Sequence, residues 1–292
     1  MVEVRRALEA DCRRYVEIHC PEARDMRKEE RLRYCGWWAD YEACTFYLRL
    51  YRRLGGEVFT ALIDDGVVGE VELLPHDDCL LGPRGYINVL WVKESMRGRG
   101  VGKSLVKTAV RWAGEMGYGH IDVIPEEGSE GFYFKLGFQC LTQQVKALKE
   151  PSSAPANIPC PFEELSSGEA PVGMKLIAGT YRPGLFTWHT AWEDPYLPPR
   201  LPPQAYRLTI GRLTFKILLD YYVEDKASLA MWCSEAPSLA SFKEAIIASE
   251  ALASRANVKT LFVQVWEQYW AALDDLKYRA VGKVMWLSKE VG

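Results

Sequence analysis

Arg97, Gly98, Arg99, Gly100, Val101 and Gly102 follow an apolar run from Ile87 to Val92 and precede an amphipathic stretch that starts at Lys103. A strand that feeds a glycine-rich turn and then a helix is a layout for holding phosphate. Glycines let the backbone turn tightly and bring several N–H groups to one anion, and the helix N-terminus adds favourable polarity. Two nucleotide motifs with this layout fail here. The P-loop pattern would end on Gly102, Lys103 and Ser104 but needs glycine at 97, where Arg97 stands. The dinucleotide fingerprint starts well at Gly98 and Gly100 but needs glycine at 103, where Lys103 stands.

Apolar periodicity supplies the surrounding elements. Residues 2–8 read as a strand, a helix follows to about 20, and 26–54 read as helical with an aromatic cluster of Trp37, Trp38, Tyr41, Phe46, Tyr47 and Tyr51. Residues 58–63 and 67–74 flank Asp64-Asp65-Gly66, a hairpin signal, and 86–92 form another strand. Leu105, Thr108, Ala109, Trp112, Ala113 and Met116 recur at helical spacing, with Gly117 and Gly119 marking the end. A strand at 120–124, a short helix at 129–136 and a closing strand at 138–148 complete the series.

About thirty residues beyond the glycine turn lies Tyr133-Phe134-Lys135-Leu136-Gly137-Phe138. With the turn in the order seen here, this segment resembles the GNAT superfamily of acyl-CoA-dependent N-acetyltransferases. The family's loop [RQ]-x-x-G-x-[GA] is met by Arg97, Gly100 and Gly102, and its Y-x-K-L-G-F signature from Tyr133 to Phe138. The resemblance covers roughly residues 2–150. It implies an α+β fold with a mixed, mostly antiparallel central sheet flanked by helices. Many members carry Asn and Ala seven and four residues before the tyrosine, where this chain has Glu126 and Ser129.

Further expectations follow from that resemblance. Acetyl-CoA is the cosubstrate, with its diphosphate held by backbone N–H groups of Arg97, Gly98, Arg99, Gly100, Val101, Gly102, Lys103 and Ser104. Arg97, Arg99 and Lys103 add positive charge. The pantetheine arm pairs with the strand at Leu90, Trp91 and Val92, with the Trp91 side chain directed to the opposite face. Tyr133 is the phenol that protonates the departing thiolate, or a packing residue against the sulfur. The amine must lose a proton before attack. Glu70 and Glu72 alternate along one strand, share a face, and are candidates for that base; Asn88 and Asp122 are weaker ones. The acceptor is an amine-bearing small molecule or peptide, with the aromatic cluster as a pocket wall or as core.

Composition limits the alternatives. The 292-residue chain has a net charge of −3, which leaves no nucleic-acid footprint. No apolar run approaches bilayer length, and the charged start is not a signal peptide, so a cytoplasmic protein off the membrane is expected. Eight cysteines without a C-x-x-C pair and four histidines without ligand spacing read as reduced thiols and no metal.

Most prolines lie between 151 and 203, and residues 151–170 read as a Pro/Ser-rich linker between a domain at 1–150 and one at 171–292. Pro195 to Pro203 reads as an extended docking segment or a loop packed on its own domain. The last ninety residues echo the first domain at an offset near 140. Leu136-Gly137-Phe138 meets Leu276-Lys277-Tyr278, and the strand at 120–124 meets 261–265. This points to a tandem GNAT fold whose second unit is degenerate: Pro237 to Lys243 lacks the loop glycines, and Leu273 stands at the place of Tyr133. Such a chain is a monomer with internal pseudo-symmetry or a homodimer. From another functional class, a non-catalytic acyl-CoA sensor or scaffold also fits.

Overall fold

A computed structural model describes residues 1–19, 21, 25–151, 160–179, 182–196, 201–223 and 225–292. The first half runs β1 (Glu3–Arg6), α1 (Asp11–His19), α2 (Lys28–Cys35), α3 (Tyr41–Arg53), β2 (Glu57–Ile63), β3 (Gly66–His76), β4 (Arg84–Val92), α4 (Val101–Glu115), β5 (His120–Val123), α5 (Glu130–Lys135) and β6 (Gln139–Lys149). The second half runs β7 (Phe162–Leu165), β8 (Lys175–Ala178), α6 (Gly184–Glu193), β9 (Gln204–Ile210), β10 (Leu213–Val223), β11 (Lys226–Cys233), α7 (Leu239–Arg255), β12 (Thr260–Trp266), α8 (Trp270–Asp275) and β13 (Arg279–Glu290).

Local chemistry sets several boundaries. Asp64 and Asp65 take φ of 50° and 59° and join β2 to β3, the left-handed pair that a two-residue hairpin turn demands. The helix expected over 26–54 is split. Gly36 turns to φ 63°, a short 3-10 turn spans Gly36–Ala39, and extended Asp40 caps α3 by accepting from the N–H groups of Glu42 and Ala43. β7 lies inside the stretch read as linker and pairs with β9; residues 152–159 and 197–200 of the proline-rich segments lie outside the described residues.

All described strands join one sheet, in the order β1-β2-β3-β4-β5-β13-β6-β12-β8-β11-β10-β9-β7. Among the described pairs, β4–β5 and β11–β12 run parallel and the others antiparallel. The closing strand expected at 138–148 forms as β6 but does not lie beside β5. β13 pairs with β5, from Leu287 opposite Val123 to Glu290 opposite His120, while β6 pairs with β12. Each half therefore completes its sheet with the closing strand of the other, and β6 and β13 pair along the middle.

Corresponding helices also end alike. α4 closes at Gly117 (φ 80°) with Tyr118 N–H on the Ala113 carbonyl at 2.9 Å; α7 closes at Asn257 (φ 58°) with Val258 N–H on Ala253 at 3.0 Å. After α5, Gly137 (φ 86°) precedes a bond from Phe138 N–H to Tyr133 at 3.1 Å; after α8, Lys277 (φ 65°) precedes one from Tyr278 N–H to Leu273 at 3.0 Å. These are left-handed helix stops of one geometry, at positions 140 residues apart.

α4 lays Val101, Leu105, Ala109, Trp112 and Ala113 on the sheet of the first half. On the opposite face α1 and α3 bury Cys12, Tyr15, Tyr47, Leu48 and Tyr51 together with Phe186 of α6, so an element of the second half completes the core of the first.

Candidate active site

The glycine turn takes the shape its sequence demands. Gly98 and Gly100 have φ of 77° and 83°, a region that side-chain-bearing residues enter at a cost, and nothing lies within 4 Å of where a Cβ would project from either. Gly100 is the N-cap of the fifteen-residue α4, and no side chain caps it; the first intrahelical bond runs from Ser104 N–H to the Gly100 carbonyl at 3.0 Å. The amides of Val101, Gly102 and Lys103 thus stand at an open helix start beside exposed Arg97, Arg99 and Lys103. Gly102 has a different use: a Cβ there would meet the Phe132 ring of α5 at 3.1 Å, so it lets the two helices approach.

β4 reaches this turn through a β-bulge. Leu73 pairs with Ile87 and Glu72 with Val89, which leaves Asn88 as the extra residue. The parallel pairing with β5 ends at Ile87 opposite Val123. Beyond it Leu90, Trp91 and Val92 keep β3 on one side, and their other edge opens into the gap between β4 and β5. Leu90 and Val92 pack toward α4, whereas the half-buried Trp91 indole stacks on His19 with ring centroids 4.0 Å apart. Its side chain therefore lies on the opposite face, as expected.

Glu70 and Glu72 do share a face, but neither is at the surface: they are 1% and 3% exposed, beneath α1, α3 and the 3-10 turn Gly36–Ala39. Glu72 accepts from Trp37 Nε1 at 3.3 Å, from the Tyr51 hydroxyl, and from Asn88 Nδ2 at 3.5 Å. Burial and the nearby Glu70 charge push its carboxyl up to about 8, and the hydrogen bonds offset this only in part. Glu70 accepts from Trp38 Nε1 at 2.7 Å and faces His19 Nε2 at 2.9 Å. Within this cluster, Glu70 Oε2 and Asn88 Oδ1 have no hydrogen-bond donor among the described residues. The aromatic cluster is thus both core and the frame of these carboxylates: Trp37 packs at a tilt against Trp38 at 4.6 Å and stacks on Tyr47 at 4.3 Å.

Asp122 belongs elsewhere. It is buried on β5 and takes Arg84 Nε at 2.6 Å, while Arg84 also donates to Ser288 Oγ of β13, so it joins the halves. Tyr133 sits on α5, 5% exposed, edge-on to Phe132 and Phe138. Burial, with the Glu126 charge behind it, raises its phenol above the usual tyrosine range, so it keeps its proton. Ser129 Oγ donates to the Glu126 carbonyl at 2.7 Å, so the two residues that depart from the family pattern tie the turn before α5.

The corresponding places in the second half are filled. Ser238 caps α7 with its own hydroxyl, taking Ser241 N–H at 3.1 Å. The parallel pairing of β11 with β12 ends at Leu229 opposite Val263, and the gap beyond it holds β8, with Ala178 opposite both Met231 and Val265. Sequence reading missed this wedge because Lys175–Ala178 is only four residues long, too short to show a periodic pattern.

It also missed His19, weighed only for metal spacing, and Arg182, which precedes Pro183 in an unpatterned stretch. The Arg182 guanidinium lies 5.4 Å from the Trp37 ring centroid and 5.6 Å from that of Phe186. Tyr196, at the start of the proline segment, packs edge-on to Phe46 at 5.8 Å, and Asp194 accepts from the Tyr47 hydroxyl. Of the cysteines, Cys12, Cys44, Cys79, Cys140, Cys160 and Cys233 are free, whereas Cys35 is disulfide-bonded, which corrects the reading of reduced thiols throughout. Eight cysteines without a motif do not reveal which side chains the fold brings together. Among the described residues no helix is long and apolar enough to cross a membrane, and no group of three or more His, Cys, Asp or Glu is placed to hold a metal ion.

A bulged strand, an open glycine turn at a helix start and a buried tyrosine on the next helix define an acyltransferase fold. Residues 7–138 match the model of the acetyltransferase (GNAT) family. The fold as a whole is similar to that of a GCN5-related N-acetyltransferase from Anabaena variabilis ATCC 29413, with TM-score 0.67 and 10% identity over 100% of this chain and 73% of that one. A putative acetyltransferase from Pyrococcus horikoshii is similar over 100% of this chain and 90% of its own, with TM-score 0.56 and 14% identity. A probable N-acyltransferase from Enterococcus faecalis V583 gives TM-score 0.62 at 11% identity, over 100% of this chain and 72% of its own. No curated protein matches the sequence.

Proposed function

We propose that the chain is an N-acetyltransferase that moves an acetyl group from acetyl-CoA to a primary amine by direct attack. One observation carries this reading: two buried acceptors without donors, Glu70 Oε2 and Asn88 Oδ1, lie on the face of β3 and β4 beside the open edge of β4. An ammonium brings three N–H donors to such a place, whereas a site for acyl-CoA alone has no use for them. Bound acetyl-CoA supplies the activated thioester. The chain provides a fitting seat for it in the open space around Gly98 and Gly100, the uncapped amides of Val101, Gly102 and Lys103, and the cations Arg97, Arg99 and Lys103. Leu90, Trp91 and Val92 offer backbone groups along the free edge.

Glu70 meets the incoming ammonium, and Glu72 behind it shares the proton that the amine gives up. The amine nitrogen then bonds to the carbonyl carbon, the carbon–sulfur bond breaks, Tyr133 gives its phenol proton to the departing sulfur, and the second proton that the nitrogen loses on becoming an amide balances the one that restores the phenol. Its raised affinity for that proton keeps it loaded at neutral pH.

The second half, residues 171–292, is a degenerate copy of the first domain, residues 1–150. This rests on the matching helix stops, the exchanged closing strands and the offset near 140 residues. It gives the catalytic half a wall, through Phe186 against Tyr47 and Tyr51, as a second subunit does in an assembly of single domains. Thiol release from acetyl-CoA over a panel of primary amines tests the assignment. Amine-dependent release supports it; binding of CoA without release over the whole panel turns the reading to a sensor or scaffold.

A further inference from the structure

We infer that His19 is a positioning residue of the acceptor site: it holds the Glu70 carboxylate by Oε1, so that Oε2 is the oxygen turned to the incoming amine. The inference rests on the transferase reading and deepens it, by naming the group that sets the geometry of its base. His19 is the last residue of α1, and Cys12, Tyr15 and His19 lie on one helix face at steps of three and four. That face is buried on the sheet, where the Tyr15 hydroxyl shares a hydrogen bond with the Thr60 hydroxyl of β2. The His19 side chain is 4% exposed. Its ring stacks on Trp38 at 4.7 Å with planes 7° apart, and on Trp91 at 4.0 Å with planes 29° apart. Two indoles cannot share one face of so small a ring, so the imidazole is held between them.

The ring nitrogen has a use that packing does not require. Nε2 stands 2.9 Å from Glu70 Oε1, the oxygen that also accepts from Trp38 Nε1 at 2.7 Å. Two lone pairs at that distance repel, so a proton belongs to the contact, although the ring lies off the line of an ideal hydrogen bond. Oε1 is thus engaged twice, and Oε2, without a donor among the described residues, is the oxygen left for a ligand. The other ring contact ties this carboxylate to the strand of the acyl donor. Trp91 lies directly opposite Glu70 in the register of β3 and β4, in the stretch of β4 whose outer edge is the proposed seat of the pantetheine arm. One stack of Trp38, His19 and Trp91 therefore sets the carboxylate relative to that edge. Glu70 is also faced by Glu72 on its own strand, by Tyr15 and Cys12 of α1 and by Cys44 of α3. A phenylalanine ring would also fill the slot between two indoles; only a nitrogen holds Oε1.

The test uses the full chain with acetyl-CoA and a panel of primary amines, read by thiol release across pH. His19→Phe keeps a ring in the stack and removes the nitrogen; His19→Gln keeps an N–H donor and gives up the stack. His19→Phe should lower kcat/KM for the acceptor by about tenfold or more, with the KM for acetyl-CoA unchanged. A carboxylate that loses a donor binds its proton more tightly, so the rising limb of the pH profile should move up by about one unit. His19→Gln should keep that limb near its parental place. Parental rates in a His19→Phe chain that melts like the parent, or a fall in rate with the limb unmoved, make His19 a packing residue; either overturns the inference and leaves the transferase standing. A second readout does not need turnover. In the 15N-histidine-labelled parent, the ring signal that His19→Gln removes should shift when an amine is added, and Glu70→Gln should abolish the shift. This readout decides where His19→Phe does not fold. It also decides where no amine releases thiol: a shift that depends on Glu70 then keeps the positioning role while the transferase reading falls, and an unmoved signal overturns the inference as well.

Discussion

Asp78, in the loop after β3, accepts a hydrogen bond from the Gly184 N–H, 106 residues further along the chain, and a second from Trp232 Nε1 at 3.1 Å. The Asp78 carbonyl also takes Leu176 N–H at 2.8 Å, so this residue holds both β8 and the start of α6. The first half thereby positions the wall that the second half returns to it.

Asp78→Ala should therefore act at a distance. It strands two buried donors, at a cost of about 2–4 kcal/mol in chemical denaturation. It should also loosen Phe186 against Tyr47 and Tyr51, raising the acceptor KM more than the acetyl-CoA KM. An equal change in both constants would separate Asp78 from the acceptor side.

Glu72 gives a pH prediction whose sign is fixed. Its carboxyl is raised in the folded state to about 8 against an ordinary 4.5. Between those values the native chain binds a proton that the unfolded chain has released. Stability is then fully present below the lower value and declines as pH rises toward the upper one. Activity moves the other way, because the base must be ionised, so kcat/KM should climb through pH 8. Glu72→Gln should flatten the stability profile and cost about a hundredfold or more in turnover. A flat profile of kcat/KM across this range would remove Glu72 from the proton path.

Much of this was legible in the sequence because the chemistry is local. The turn from Arg97 to Gly102, the hairpin at Asp64 and Asp65, and the stripe on α4 each depend on a few adjacent residues. The burial of Glu70 and Glu72 was not legible. Their alternation fixed the shared face, but the lid over that face comes from Trp37, Trp38 and His19, distant in sequence. The exchange of β6 and β13 was equally hidden, since strand pairing partners leave no mark in a single strand's pattern. The place of Phe186 was equally hidden, since only the fold brings α6 back across Tyr47 and Tyr51.

Tyr133→Phe removes one oxygen and leaves the packing on Phe132 and Phe138 in place. Turnover should fall by about tenfold or more, with acetyl-CoA affinity nearly unchanged. The loss should persist across neutral pH, because the raised phenol does not ionise there. Unchanged turnover would make the residue a packing tyrosine.

Gly100→Ala tests the loop. At φ 83° a side chain costs about 1–2 kcal/mol of stability, and the added methyl projects into the space proposed for the diphosphate. Acetyl-CoA affinity should drop by about tenfold. Gly117→Ala has the same left-handed strain at the far end of α4 and serves as the control, since it should cost stability without changing affinity.

The last prediction concerns how many acyl-CoA molecules the chain takes. The two halves share a sheet plan, yet only the first leaves its gap open. Beyond Leu229 and Val263, β8 lies where an added strand would lie, with Trp232 opposite Leu176 and Cys233 opposite Lys175. Gly179 N–H closes the far end on the Gln264 carbonyl at 2.8 Å. Side chains do the same at the helix start, where Ser238 consumes the amide that an anion would need. Calorimetry on the full chain should give a single site. Amide exchange at Leu176 and Gly179 should be slow both with and without acetyl-CoA, since these hydrogen bonds belong to the resting sheet. Residual binding after Gly98 and Gly100 are both replaced by glutamate would mean that the second gap opens, and β8 would then be a movable occupant rather than a fixed strand.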